Sequence, residues 1–327
     1  MTPLMQDLPE RPLDIVGDVH GECSALEDLL QHLGYGPDGD HPDHRFLVFV
    51  GDLVDRGPDS PGVVRLVKRL RDAGNALCLV GNHELNLLLG KERAGNEWFF
   101  GEPQFLRGTE QAIPQVIADD AMREEMLLFL QTLPLAAQRD DLRVVHACWQ
   151  AEAIASLEDE NRSLVDLFYD SEKSITQACI RDGEKPDSIV ADLARQNQNP
   201  VTVLTSGMEA PTAEPFRAGG QMRRVERVAW WRSYRDQVPV VFGHYWRAMD
   251  PENRAVKRGP YLFQEQAFQA PLGPLANAYC VDYSIGYRNV ERAKEEVGTR
   301  STALMALRVP EFELLADDGS RYSADAR

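Results

Sequence analysis

An α/β fold built on a doubly wound, largely parallel sheet is what the N-terminal part of the chain predicts. Three observations carry that prediction. Residues 13–16 (LDIV), 46–50 (FLVFV) and 76–80 (ALCLV) are short apolar runs of the kind that form strands buried on both faces. Amphipathic stretches separate them, so the order reads β-α-β-α-β. Each run stops at a glycine and then presents oxygen or imidazole groups: Gly17-Asp18-Val19-His20, Gly51-Asp52 and Gly81-Asn82-His83. The carboxyl ends of strands are where open α/β sheets hold their ligands.

Taken in order, residues 22–33 place Ala25, Leu26, Leu29, Leu30 and Leu33 on one helical face, with Gly34 as the stop. Residues 35–45 are polar and hold glycine and proline, which makes them a loop. His41 and His44 lie there as solvated side chains. Ser60-Pro61 is an N-cap and first-turn pair for a helix over 63–73, apolar at Val63, Val64, Leu66, Val67 and Leu70. A third helix starts at Glu84. Residues 90–120 mix Trp98, Phe99, Phe100 and Phe105 with glycines and charges, the composition of an ordered insertion that walls a cleft. Helical spacing returns over 122–133, and a strand at 142–145 delivers His146.

From 151 to about 199 the chain reads as charged helices without a motif, and 205–222 has the composition of a mobile loop. A strand at 239–242 ends at Gly243-His244. Residues 278–282 and 301–307 read as two strands of a second sheet, and the last dozen residues as a fraying tail. No repeat or low-complexity linker interrupts the chain, so a single domain over 1–327 is expected, with variable segments at 90–140 and 151–235.

Composition narrows the function. A hydrophobic content of 43% with 27% charged residues is that of a globular domain. The net charge of −17 opposes extended nucleic-acid binding, which needs a basic face. It leaves room for a small phosphorylated substrate, because metal ions and one or two arginines reverse the local field. Five cysteines without a CxxC pair read as reduced thiols. No secretory signal and no membrane-length apolar run are visible, so a cytoplasmic location is expected.

Four of the seven histidines, His20, His83, His146 and His244, follow directly on apolar strands. A lone histidine there is usually a satisfied core or loop residue, and a lone aspartate usually caps a turn. Four histidines beside Asp18, Asp52 and Asn82 reverse that reading. Oxygen and imidazole donors on adjacent strand ends suit a pair of divalent metals of the manganese, iron or zinc group.

The motifs GDVHG, GDLVDRG and GNHE, with 34 residues from Asp18 to Asp52 and 30 from Asp52 to Asn82, resemble those of the calcineurin-like metallophosphoesterases. The branch most similar holds the PPP-type serine/threonine phosphatases, the bacterial lambda-type phosphatases and the symmetrical diadenosine tetraphosphatases. The resemblance implies a four-layer αββα sandwich, two mixed sheets flanked by helices, with a dimetal site at the strand C-terminal ends. It implies two divalent ions, manganese first, with iron, zinc, nickel or magnesium as alternatives. Asp18, His20 and Asp52 would hold the first, and Asp52, Asn82, His146 and His244 the second. A bridging carboxylate sets two cations about 3.5–4 Å apart, close enough for both to act on one phosphoryl group attacked in line by a bridging hydroxide.

By the same resemblance His83 is the general acid for the leaving alkoxide, oriented by Asp55, and Arg56 grips the phosphate. A second arginine is expected. Arg232 in the Trp-x-Arg stretch is the first candidate, with Arg223, Arg224 and Arg227 as rivals. Two departures alter the walls and not the ligands: His146 is followed by Ala147-Cys148-Trp149, and His244 by Tyr245-Trp246. The Glu of GNHE favours a phosphomonoesterase, above all a phosphoprotein phosphatase, with a bis(5'-nucleosyl)-tetraphosphatase as the alternative. The substrate is thus a phosphorylated small molecule, a nucleotide or a phosphoprotein. A non-catalytic phosphate-binding module is the reading from another class, and the complete set of chemical groups argues against it.

Overall fold

The computed structural model describes residues 3–106, 108–158, 160–218, 221–250, 252, 261–264, 266–293 and 301–324. The chain opens with a short strand that the sequence did not signal, β1 (Met5–Asp7). It then alternates through β2 (Leu13–Val16), α1 (Cys23–Leu33), β3 (Phe46–Phe49), α2 (Ser60–Asp72), β4 (Ala76–Cys78) and α3 (Asn82–Leu88). β2, β3 and β4 pair in parallel. α1 buries the predicted stripe, and Gly34 ends it with φ 96°, a left-handed conformation open mainly to glycine. α2 starts one residue earlier than its cap pair suggested. Asp59 is the N-cap, accepting the Gly62 N–H at 2.7 Å, while the Ser60 hydroxyl accepts the Asp55 N–H at 2.9 Å.

After α4 (Asp120–Leu130) come β5 (Ala136–Arg139) and β6 (Leu142–Val145). The charged helices follow as α5 (Ala151–Ala155), α6 (Leu164–Arg181), α7 (Ile189–Gln198) and α8 (Pro200–Ser206). The stretch read as a mobile loop is instead an antiparallel hairpin, β7 (Glu209–Ala218) and β8 (Gln221–Arg227), with a register shift between Pro211 and Phe216. A two-stranded ribbon rich in polar and charged residues leaves no alternating apolar pattern to read.

The remaining elements are β9 (Val240–Phe242), β10 (Ala278–Cys280), β11 (Asp282–Tyr283), α9 (Arg288–Ala293), β12 (Ala303–Val309), β13 (Glu313–Ala316) and β14 (Arg321–Ser323). One sheet has the order β1-β5-β6-β9-β10. The other runs β14-β13-β12-β2-β3-β4, with β11 on β12. Three expectations change here. The sheet around the first three strands is mixed, as the resemblance implied and unlike the largely parallel sheet read from the strand order, because β12 lies antiparallel beside β2. The two strands foreseen in one second sheet separate, since β10 pairs with β9 and β12 with β2. The foreseen tail instead forms β14, paired with β13 and held by the Tyr322 ring against Phe268.

The layers follow from strand alternation. Leu13, Ile15, Val48, Val50, Leu77 and Leu79 of the second sheet form one buried cluster with Ala137, Val144, Val241 and Tyr279 of the first. The alternate residues point outward. Val16, Leu47, Phe49 and Cys78 join Leu26, Val63 and Val67, and Val145, Val240 and Phe242 join Val201 and Leu204 of α8. Two sheets packed face to face between helices give the αββα sandwich. Burial on both faces explains why the strands read as unbroken apolar runs.

Candidate active site

The carboxyl ends of β2, β3 and β4, with those of β6 and β9, meet at one edge of the sandwich. Close approach there demands glycine. A Cβ on Gly81 would lie 2.2 Å from Asp52 Oδ1, and Gly51 takes φ 110°. Among the described residues ten non-glycine residues have positive φ, and His20, Asp52, Asp55, Arg56, His244 and Trp246 are six of them. Unfavourable backbone of this kind costs about 1–3 kcal/mol per residue and collects where function over-determines the geometry.

The loops are tied together by Glu84, fully buried in the first turn of α3. Its carboxylate accepts the N–H groups of Gly81 (2.8 Å), Asp52 (2.8 Å), Leu53 (2.7 Å) and Val54 (3.2 Å). Burial, and after it the Asp52 charge, push its carboxyl up to about 7. From sequence Glu84 reads as a helix start and a motif letter, and not as this brace. The available signal was a glutamate three residues after a glycine N-cap, the spacing of a capping box.

The donors face one another. His20 Nδ1 lies 3.1 Å from the Val54 carbonyl and His146 Nδ1 3.0 Å from the Val50 carbonyl, so in each ring the Nδ1–H is used and Nε2 is turned towards the other donors. His20 Nε2 is then 3.9 Å from Asp18 Oδ2 and 3.8 Å from Asp52 Oδ2. His146 Nε2 is 3.4 Å from both Asp52 Oδ1 and Asn82 Oδ1. His244 Nδ1 is 2.8 Å from Asn82 Oδ1, and its backbone N–H reaches both oxygens of Asp18 at 3.2 Å.

Imidazole and oxygen donors gathered this closely suit cations between them. Two groups stand out, His20-Asp52-His83 and Asp52-His146-His244, and Asp52 belongs to both. Burial holds the Asp18 carboxyl well above its ordinary value, with Asp282 and Asp52 adding to the effect. Burial also opposes the charge on Asp52, but His146 and His83 outweigh it and keep that carboxyl low. The residues present fit two divalent cations that share Asp52.

Beside the ligands, His83 Nδ1 lies 2.5 Å from Asp55 Oδ2. The other oxygen, Asp55 Oδ1, accepts the Trp98 indole N–H at 2.8 Å. Arg56 Nη2 is 3.3 Å from His83 Nε2, and the guanidinium lies 4.5 Å over the Trp246 ring. Trp246 is one wall that the sequence flagged. The Asp282 carboxylate takes its N–H at 2.6 Å and that of Ser284 at 2.9 Å, which locks the turn. Cys148 and Trp149, the other departure, are buried in the outer core, and the Arg143 guanidinium lies 5.1 Å over the Trp149 ring. The Trp230 indole N–H bonds the Ala147 carbonyl.

Asp18, His20, Asp52, Asn82, His146, His244, His83, Asp55 and Arg56 therefore come together, and Arg232 does not. It is exposed on the 3-10 turn Trp230–Ser233 and donates to the Leu262 carbonyl at 3.2 Å. The buried Trp230 and Trp231 face the core, so the turn directs Arg232 outward. Of the rivals, Arg227 stands nearest, its guanidinium on the His244 carbonyl at 2.8 Å. Arg224 is exposed, and the Arg223 side chain lies outside the described residues. No helix among the described residues is long and apolar enough to cross a membrane.

The family model of the calcineurin-like phosphoesterases matches residues 11–245, and the chain belongs to that family. It is a hydrolase of phosphoester or phosphoanhydride bonds. Among curated relatives, the chain is 28% identical over 247 residues to a symmetrical bis(5'-nucleosyl)-tetraphosphatase of Methylococcus capsulatus, covering 70% of this chain and 80% of that protein. It is 36% identical over 144 residues to the asymmetrical bis(5'-nucleosyl)-tetraphosphatase PrpE of Geobacillus sp., covering 41% of this chain and 56% of that one. Among solved structures, a cold-active protein-tyrosine phosphatase of a Shewanella species aligns over 99% of this chain and 85% of its own, at 16% identity and TM-score 0.46.

Proposed function

We propose that the chain is a dinucleoside polyphosphate hydrolase working with two divalent cations, manganese first. The observation that carries the chemistry is the set of imidazole and oxygen donors gathered around Asp52, with His83 and Arg56 beside it. The activities named for the curated relatives favour the substrate. The phosphoprotein phosphatase reading rested on the Glu of GNHE. That side chain is spent on backbone N–H groups and does not read substrate, so the reading moves to second place.

Two cations bound here would polarise the phosphoryl oxygens and lower the pKa of a water to near neutrality. The protein's own part is positional. Asp52 serves both cation sites, while Glu84 fixes its loop. The planar fork of Arg56, held against Trp246, suits two oxygens of one phosphoryl group. His83, oriented by Asp55, donates a proton to the departing oxygen. Arg227 is the nearest second cation for the longer phosphate chain.

The test is an initial-rate comparison on metal-stripped protein refilled with manganese, using diadenosine tetraphosphate and a phosphopeptide at equal low concentration. That ratio reports relative kcat/KM. Faster cleavage of the dinucleotide is expected, and its products, two ADP or ATP with AMP, give the cleavage position. Faster release of phosphate from the peptide would overturn the substrate. No dinucleotide turnover with two metals bound would overturn it as well.

A further inference from the structure

The insertion after α3 supplies a side chain to the catalytic pair. We propose that Trp98 is a positioning residue for proton donation: its indole N–H fixes the plane of Asp55, so that the second carboxylate oxygen holds His83 towards the leaving group. The proposal rests on the reading of His83 as the general acid.

A carboxylate free to turn about its last torsion offers either oxygen to a partner. Here each oxygen has its own donor, Trp98 Nε1 at 2.8 Å on Oδ1 and His83 Nδ1 at 2.5 Å on Oδ2. The Asp55 backbone is held separately, its N–H on the Ser60 hydroxyl and its φ at 73°. Trp98 is itself immobile. It is 1% exposed, its carbonyl accepts the Ala118 N–H at 3.0 Å, and its ring packs edge-on against Phe99. Three residues earlier in the same segment, the Gly95 carbonyl accepts the Arg56 N–H at 3.3 Å. One short stretch of the insertion therefore holds both residues of the Asp55-Arg56 pair.

A buried indole N–H needs some acceptor, and a purely packing role would satisfy that need equally well. The two roles differ in how they respond to the leaving group. A poor leaving group depends on the proton from His83, and a good one departs without it. The experiment compares kcat/KM for phenyl phosphate, whose phenol is a weak acid, with that for p-nitrophenyl phosphate, whose phenol is much stronger. Both use manganese-loaded protein with two metals per chain verified.

Trp98→Phe keeps an aromatic ring and removes the donor. It is expected to lower kcat/KM about 10–100-fold on phenyl phosphate, as loss of a supporting contact does, and to leave p-nitrophenyl phosphate nearly unchanged. Equal losses on both esters, or no loss on either, overturn the proposal. If the smaller ring disturbs folding, β-(3-benzothienyl)alanine at position 98 keeps the indole shape and drops only the N–H. His83→Ala separates the two failures. A split for His83→Ala without one at position 98 overturns the role of Trp98 alone. Equal losses for His83→Ala overturn the general-acid reading beneath it.

Discussion

At Glu84 one buried carboxylate receives four backbone N–H groups, one from the start of α3 and three from the loop past β3. Glu84→Gln keeps the shape but turns an NH2 towards donors. Leaving buried donors unpaired costs about 1–3 kcal/mol, read as a lower urea midpoint at unchanged m-value. Manganese affinity should fall about 10–100-fold with it, as for other lost supports of metal ligands. A variant with the parent's midpoint and metal content would contradict the bracing role. The candidate ligands lie where the sequence shows a signal, because Asp18, Asp52, Asn82 and three histidines each follow a break in an apolar run. Their supports do not. Trp98 reaches Asp55 across 43 residues and Trp246 reaches Asp282 across 36, distances at which local spacing carries no information. The outward direction of Arg232 was not legible for a related reason: motif similarity names a residue without its direction.

Among the elements, those whose sequence shows a period were foreseen and those stabilised by neighbours were not. α1 and α2 each bury a complete stripe and appear nearly where predicted. β7 and β8 carry no such stripe, and β1 is a three-residue edge strand that exists because β5 pairs with it. The shift of the α2 cap from Ser60 to Asp59 has a direct consequence. Asp59→Ala removes the acceptor for the Gly62 N–H and should cost about 1 kcal/mol, measured by urea unfolding, whereas Asp59→Asn should cost little. Ser60 is meanwhile free of the cap and holds the Asp55 N–H, so the helix start and Asp55 share one short segment.

Across the whole molecule the candidate metal ligands come from both sheets: Asp18, Asp52 and Asn82 follow β2, β3 and β4, while His146 and His244 follow β6 and β9. Cations bound there join the two layers and neutralise buried carboxylates. Chelation should therefore lower the Tm. Manganese at 100 times its Kd should restore about 2.7 kcal/mol per independent site, a change visible by calorimetry with and without excess metal. An unchanged Tm would mean that the ligands do not hold the ions tightly in the folded state. The αββα architecture was legible through the resemblance, but the partner of β2 was not. A strand's neighbour is set by what the far end of the chain folds against, and β12 begins at Ala303.

The position of β12 matters during synthesis. β2 gains β3 on one side early, but its other neighbour is made about 250 residues later. At about 5–20 residues per second that edge of Leu13–Val16 stays open for roughly 12–50 s. An apolar strand with an unpaired edge is a template for wrong pairing. The nascent chain thus carries an open apolar edge, on the strand leading to Asp18, until β12 has been made.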